Sequence, residues 1–229
     1  METTTQCLLE EHALSFRRPY FGTALRGRTA IVGGSYDNRS AGAAWVYARS
    51  GGVWTQQGSK LVGIGAAGIA SQGTSVALSG NGNTAIVGGP YDNFNAGAAW
   101  VYARSGDVST QQGGKLVGIG AVGQAGQGFS VALSGDGNTA IVGGPHDNSR
   151  SGASWVYIRS GTIWNQQGNK LVSADAVGHA EQGFSVALSA DGSTAVAGAL
   201  ADNRVTGAAW VHTRRGGVWT PIAAPSPGF

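Results

Sequence analysis

The chain has 229 residues, of which only 12% are charged and 40 are glycine, and its net charge is +3. This composition excludes a mainly helical protein and is typical of short strands joined by many turns. The basic residues are spread singly instead of forming a run, so nucleic acid is not predicted as a partner.

The N-terminal segment, residues 1–20, carries acidic residues early and has no long apolar core. It therefore matches neither a secretory signal nor a membrane span, and no membrane span is predicted. Cys7 is the only cysteine, which excludes an intramolecular disulfide and a cysteine-based zinc site. We predict one repeat domain over residues 21–229.

An internal repeat of 55 residues dominates this domain. Related segments with the pattern Ser-Val-Ala-Leu-Ser followed by Thr-Ala-Ile-Val-Gly-Gly begin at Thr74 and Phe129, and a copy of the second half begins at Thr29. The segment from Phe184 has Thr-Ala-Val-Ala-Gly-Ala in the second half. One position of the repeat is always tryptophan: Trp45, Trp100, Trp155 and Trp210.

Each unit contains four strand-like runs separated by glycine-rich or Asx-rich turns. Four short strands per repeat is the pattern of a propeller blade, so we predict an all-β fold, a β-propeller of four four-stranded antiparallel blades. Side chains alternate along a strand, which places Trp45 and Tyr47 on one side and Ala44 and Val46 on the other. We expect the bulky face of each blade to pack on the small face of its neighbour.

The two ends of the repeat domain differ from the interior. The last unit lacks the Lys-Leu-Val run of the others, and Pro221 and Pro225 remove hydrogen-bond donors there. The N-terminal run Cys7–Leu9 occupies the place that Lys60–Val62 occupies one repeat later. We expect this run to supply the outer strand of the last blade and close the ring in a monomer. The alternatives are decay at both ends of a fragment and a homodimer that completes a larger ring.

Two short motifs have the letters of known sites but not their context. The runs Gly63–Gly68 and Gly118–Gly123 match a dinucleotide-binding fingerprint, yet a turn and another strand follow instead of a helix, so we predict loops between blades. A nucleophile elbow places a serine on a sharp turn between a strand and a helix, and the sequences around Ser75, Ser130 and Ser185 are similar to that motif. No helix follows these serines, so we predict that they are ordinary strand residues.

The repeat resembles the FG-GAP, or integrin-α-type, repeat over about Phe21 to Thr220. The segments that carry the resemblance are Gly128–Leu133, Gly183–Leu188, Val87–Pro90, Val142–Pro145 and Gly97–Tyr102. The resemblance implies a propeller, usually of seven blades, with roles in adhesion and ligand binding that include sugar binding in some fungal lectins. It also implies an extracellular or cell-surface location. Four units depart from the family pattern.

A second departure concerns metal. Many FG-GAP repeats hold calcium between their first two strands, whereas here that connection is a short turn with Asn81, Asp136 or Asp191 at one position. One carboxylate cannot supply the six to eight oxygen ligands that calcium prefers. We predict hairpin turns, no metal and no cofactor.

An Asp-Asn pair follows the second strand of every unit, and Tyr or His precedes three of the pairs. One interpretation is an Asx turn whose carboxylate accepts neighbouring backbone N–H groups. The other is a ring of acceptors and aromatic rings that binds sugars on one propeller face. The candidate ligand-binding residues are Tyr36, Asp37, Asn38, Tyr91, Asp92, Asn93, His146, Asp147, Asn148, Asp202 and Asn203.

These patterns favour a binding or interaction scaffold over an enzyme, with a glycan or a protein as partner. The first alternative is a hydrolase or lyase with a single site built from non-repeated residues such as His146, His179 and Glu181. The second is a purely structural repeat. Repeated arginines close the third run of each unit, where we expect contact with the facing tryptophan row: Arg49, Arg104, Arg159 and Arg214.

Overall fold

The computed structural model describes residues 22–222, which form four antiparallel sheets of four consecutive strands each. Blade 1 holds β1 (Thr23–Arg26), β2 (Thr29–Gly34), β3 (Ala43–Ser50) and β4 (Val53–Gln56). Blade 2 holds β5 (Ser75–Leu78), β6 (Thr84–Gly89), β7 (Ala98–Ser105) and β8 (Val108–Gln111). Blade 3 holds β9 (Ser130–Leu133), β10 (Thr139–Gly144), β11 (Ala153–Ser160) and β12 (Ile163–Gln166). Blade 4 holds β13 (Gln182–Leu188), β14 (Thr194–Ala199), β15 (Ala208–Arg215) and β16 (Val218–Pro221).

The first strands of successive blades pack together in the order β1, β5, β9 and β13. This arrangement confirms the predicted all-β propeller of four blades. No β-ladder joins blade 4 to blade 1 within residues 22–222. The predicted closing strand at Cys7–Leu9 lies outside the described residues, as does Pro225, while β16 ends at Pro221 as the proline pattern predicts.

The blades pack bulky face on small face, as the alternation of side chains predicts. Between blades 1 and 2, Ala44 and Val46 of β3 share one core with Trp100 and Tyr102 of β7. The equivalent core between blades 2 and 3 contains Trp155 and Tyr157. Trp100 and Trp155 are completely buried. An aromatic side chain buries about 150–250 Å², so these rows dominate the stabilisation of the junctions.

Close approach of the backbones explains the Gly-Gly pair that ends the second strand of blades 1 to 3. A Cβ built on Gly143 of β10 would overlap the carbonyl oxygen of Gly183 in the next blade. The predicted strand serines stabilise the same contact, because the hydroxyl of Ser130 donates to Gly183 at 2.8 Å and Ser75 donates to Gly128 at 2.8 Å.

The two glycine-rich runs lie in linkers between blades, as predicted. Trp100 donates its indole N–H to the carbonyl of Ile64 at 3.0 Å, and Trp155 donates to Ile119 at 3.0 Å. The linkers are therefore attached to the blade that follows them. Dinucleotide binding has no helix to support it here.

Four helical turns connect second to third strands: α1 (Asp37–Ser40), α2 (Asp92–Asn95), α3 (Asp147–Arg150) and α4 (Asp202–Val205). None of these four-residue turns, the helical segments of residues 22–222, is long enough to cross a membrane. Their connections and the linkers between blades emerge on one side of the propeller, which we call the loop face. It comprises residues 35–42, 90–97, 145–152 and 200–207 with linkers 57–74, 112–129 and 167–184.

Candidate functional site

The Asp-Asn pairs of the loop face hold the linkers in place. Asp92 Oδ1 accepts the backbone N–H of Ala67 at 2.6 Å, and the backbone N–H of Asn93 donates to the carbonyl of Ala67 at 2.9 Å. Asp92 and Asn93 together therefore hydrogen-bond both the N–H and the C=O group of one linker residue. Blades 3 and 4 repeat the arrangement with Asp147 and Asn148 on Val122, and with Asp202 and Asn203 on Val177.

A lysine neutralises three of these carboxylates. Lys115 lies 2.5 Å from Asp92 Oδ2 and Lys170 lies 2.5 Å from Asp147 Oδ2, while Lys60 pairs with Asp37. The side chain of Asp147 is completely buried and that of Asp92 is 1% exposed, so both need such a partner.

The helical turns that contain these Asp-Asn pairs have a strained backbone conformation. Asn93, Phe94 and Asn95 have φ values of 48°, 56° and 68°, three successive residues in the left-handed region. For residues other than glycine this conformation costs about 1–2 kcal/mol each. The hydrogen bonds of Asp92 and Asn93 to Ala67 hold the turn in this shape, which the sequence did not predict.

The predicted candidate residues consequently divide into two groups. Asp92, Asp147 and Asp202 are buried and Asp37 is half-buried, and all four carboxylates are engaged within the chain. Their partners are linker residues distant in sequence, which differs from the neighbouring N–H groups of the predicted Asx turn. The aromatic members and the asparagine side chains stay accessible on the loop face: Tyr36, Tyr91, His146, Asn38, Asn93, Asn148 and Asn203.

A cleft of about 450 Å³ lies on the loop face between blades 2 and 3. Tyr91 and His146, equivalent residues one repeat apart, both line it. Polar side chains complete the lining at Asn95, Gln124, Ser149 and Arg150. Asn95 Nδ2 and Gln124 Oε1 are 3.4 Å apart, a weak hydrogen bond that leaves both amides able to meet a ligand.

A smaller cavity of about 50 Å³ lies next to the cleft, between Tyr36 and Tyr91, and Phe129 also lines it. Phe129 stands edge-on to His146 at 6.1 Å and against Phe184 at 4.9 Å between ring centroids. The structure therefore joins Tyr36, Tyr91 and His146 through one strip of aromatic rings.

Burial lowers the pKa of His146, and the charge of Arg150 lowers it further, while Glu181 acts in the opposite direction. The ring is consequently neutral at pH 7 and presents one donor and one acceptor. Its position also depends on Gly126, because a Cβ built there would lie 3.1 Å from His146 Nδ1.

The residues of the alternative enzymatic site have other partners. Glu181, which is 5% exposed, accepts Arg150 Nε at 2.7 Å and also Arg150 Nη2. His179 Nδ1 lies 2.6 Å from the carbonyl oxygen of Ser149, to which it donates. His146 and Glu181 do share one region, but the Glu181 carboxylate is bound to a guanidinium there.

The predicted hairpin turns between first and second strands are confirmed. Asp191 Oδ1 accepts the hydroxyl of Ser189 at 2.5 Å and the N–H of Ser193 at 2.9 Å. The Ser189 hydrogen bond is the main cause that lowers the pKa of Asp191 to about 2. No group of three His, Cys, Asp or Glu residues within 22–222 is arranged to hold a metal ion.

The arginine row matches its prediction in blade 4, where the Arg214 guanidinium lies 5.7 Å from the ring centroid of Trp219. Sequence reasoning missed the lysine partners, although they recur 23 residues after each of three aspartates. It also missed Asn95, Gln124 and Arg150, because these cleft residues are not repeated. No periodic signal could have found them.

No protein-family model matches the sequence, and no curated protein matches it significantly. Among solved structures, a functionally unknown protein from Desulfotomaculum acetoxidans is 12% identical, with a TM-score of 0.58 over 89% of this chain and 55% of that one. TolB from Acinetobacter baumannii is 11% identical, with a TM-score of 0.47 over 90% of this chain and 44% of that one.

The chain thus spans about half the length of these two proteins. At 12% identity, the similarity to the Desulfotomaculum acetoxidans protein shows a shared fold and nothing of the site.

Proposed function

We propose that this chain is a β-propeller binding scaffold whose cleft between blades 2 and 3 binds a carbohydrate. The observation that carries the proposal is the pair of equivalent residues, Tyr91 and His146, on a cleft of about 450 Å³ that amide and hydroxyl side chains also line. Ligand sites of this kind are concave, with aromatic walls and a few polar groups that set orientation.

The chemistry of the lining suits a neutral sugar. Tyr91 is 44% exposed, so its ring can cover the apolar face of a sugar. Asn95, Gln124 and Ser149 supply donors and acceptors for hydroxyl groups. Arg150 already pairs with Glu181, which reduces its attraction for an acidic group.

The resemblance to FG-GAP repeats supports the same ligand class, because some fungal lectins of that family bind sugars. It also supports a location outside the cell or at its surface. The repeat alone would predict several similar sites per chain. However, the blade 1 equivalents of Asn95 and Gln124 are Ser40 and Ile69, so we expect one principal site.

A glycan array followed by titration calorimetry tests this proposal. The best glycan should bind with one site per chain. Tyr91→Ala and His146→Ala should each weaken binding severalfold, by up to about tenfold, since an aromatic contact contributes roughly 0.5–1.5 kcal/mol. Tyr36→Ala is the matched control outside the cleft and should bind within about twofold of the parent chain. Equal losses in all three variants, or no glycan binding at all, would contradict the proposal.

Protein adhesion is the second candidate function, and exposed apolar side chains on the loop face favour it. Phe94 is 86% exposed, and Ile64 and Ile119 are each 77% exposed. Exposed apolar groups that cluster on one face mark protein interaction sites. On an array of immobilised proteins, Phe94→Ser should remove the strongest signal without changing glycan affinity. A signal that survives Phe94→Ser would exclude this surface as the adhesive one.

A further inference from the structure

The outward face of blade 4 exposes positions that are buried in every other blade. Ala44, Ala99 and Ser154 occupy one position on the small faces of blades 1 to 3, and each is 0% exposed. Their blade 4 equivalent, Ala209, is exposed. Ala187 of β13 is exposed as well, whereas Ala132 of β9 packs into the core shared with the next blade.

The glycine and serine contacts repeat this difference. Gly143 and Ser130 meet Gly183 of the following blade. For a Cβ built on Gly198 in blade 4, the three nearest atoms all belong to Ser185 of its own blade, and none to a following blade. Blade 4 therefore presents the contact surface of a junction without the blade that would complete it.

Blade 1 exposes the complementary bulky face. Leu25 of β1 is 55% exposed, whereas its equivalents Leu78 and Leu133 are 3% and 8% exposed. Trp45 of β3 is half-buried, whereas Trp100 and Trp155 are completely buried. The chain thus carries one free bulky face and one free small face, the same two surfaces that meet at its three interior junctions.

We propose that blade 4 of one copy docks on blade 1 of a second copy. The contact is head to tail, and two such contacts close a ring of eight blades, which lies within the range of known propellers. The proposal is independent of the carbohydrate cleft, because the cleft lies between blades 2 and 3 of one chain.

The interior junctions identify the occupant of each free face. Ala132 of blade 3 packs against the same core as Val186, Leu188 and Trp219 of blade 4, so a small face is completed by a bulky blade face. The described residues hold one such unpaired face, that of blade 1 around Leu25. Leu25 and Ala187 are both exposed, so blades 1 and 4 of one chain do not cover each other within residues 22–222, and a second copy provides the missing face.

Sedimentation velocity of the full chain over a range of concentrations tests the proposal. We expect a dimer of twice the 23.1 kDa chain mass. Ala187→Arg and Leu25→Arg each place a charge in the junction and should raise the dimer dissociation constant at least about tenfold. Val53→Arg is the matched control, because Val53 is 62% exposed at the start of β4. Thermal melts should show that all three variants fold.

Mixing the two defective variants distinguishes a head-to-tail contact from a symmetric one. Ala187→Arg keeps an intact blade 1 face and Leu25→Arg keeps an intact blade 4 face, so the mixture should associate where neither variant does alone. A wild-type chain that stays monomeric at all concentrations would overturn the proposal. So would a monomer that unfolds after deletion of residues 1–20, since its own segment would then cover the free face.

Discussion

The two interior blades and the two terminal blades of this propeller share one sequence pattern but differ in burial. Trp100 and Trp155 of blades 2 and 3 are completely buried, whereas Trp45 and Trp210 of blades 1 and 4 are half-buried. For Trp45 the difference shows that burial requires a neighbouring blade, because the bulky face of blade 1 has none among residues 22–222. Trp210 lies on the bulky face of blade 4, which packs on blade 3, but its indole N–H donates to the Asp175 carboxylate at 2.8 Å instead of to a linker carbonyl. Substitutions at equivalent positions of interior and terminal blades should therefore change the free energy of unfolding by unequal amounts.

The largest effect is expected at the tryptophan row. Trp155→Ala removes a fully buried aromatic side chain and should lower the free energy of unfolding by about 3–5 kcal/mol. Trp210→Ala, at the half-buried equivalent, should cost less than half as much. Arg104→Ala, where the side chain donates to Thr29 at 3.2 Å, should cost about 1 kcal/mol. Urea denaturation of the three variants measures the differences, and equal losses at Trp155 and Trp210 would contradict the comparison.

The next effect concerns the aspartates that hold the linkers. Asp147→Ala leaves Lys170 and the N–H of Val122 without their buried acceptor, which should cost about 3 kcal/mol. In blade 1, the Asp37 side chain is 25% exposed and its partner Lys60 is 40% exposed. Solvent screens that pair, so Asp37→Ala should cost about 1 kcal/mol or less. The same denaturation series measures both, and an Asp147→Ala variant as stable as Asp37→Ala would show that the buried pairs contribute little.

A smaller effect depends on pH and concerns His212 of blade 4. The interior blades have Tyr102 and Tyr157 at the equivalent position. Burial lowers the pKa of His212 below its usual 6.5. The unfolded chain then binds more protons between the two pKa values, so stability falls as the pH drops below about 6.5, by at most about 1.4 kcal/mol per pH unit.

His212→Tyr should remove most of this acid sensitivity, since the interior blades hold tyrosine at the same position. Melting temperatures at pH 7.5 and pH 5 measure it. Burial also lowers the pKa of His146, so a smaller acid sensitivity should remain in His212→Tyr. An acid sensitivity of unchanged size would assign it to a group other than His212.

The smallest expected effect is that of a chelator. The single acidic side chains of the hairpin turns accept hydrogen bonds within their own turns, as Asp136 does from Ser134 at 2.5 Å and from the Asn138 N–H at 2.9 Å. They cannot supply the ligand set that calcium requires. Addition of EDTA should leave the melting temperature unchanged, and a decrease of several degrees would disprove this interpretation of the turns.

The strands and their faces could be predicted because the same pattern of strand-like runs and alternating side chains occurs four times in the sequence. The alternation of side chains places the repeated tryptophan on a bulky packed face, and Trp100 at this position is completely buried. The role of Asp92 could not be predicted, because its partners Ala67 and Lys115 lie 25 and 23 residues away in opposite directions. Only the path of the linker brings them together.

The left-handed turns were missed for another reason. Asn93, Phe94 and Asn95 have no intrinsic preference for positive φ strong enough to predict three such residues in succession. Tertiary hydrogen bonds impose that conformation. The cleft likewise depends on side chains that are not repeated, such as Gln124, so the periodic pattern carried no information about it.

Hydrogen–deuterium exchange of the chain with and without its best array glycan tests the central claim most directly. Protection on binding should appear in the loop-face segments 91–95, 122–126 and 146–150. The hairpin turns on the opposite side, including 80–83 and 135–138, should exchange as they do in the free chain. Protection confined to those hairpin turns, or spread equally over all four blades, would contradict a carbohydrate site between blades 2 and 3.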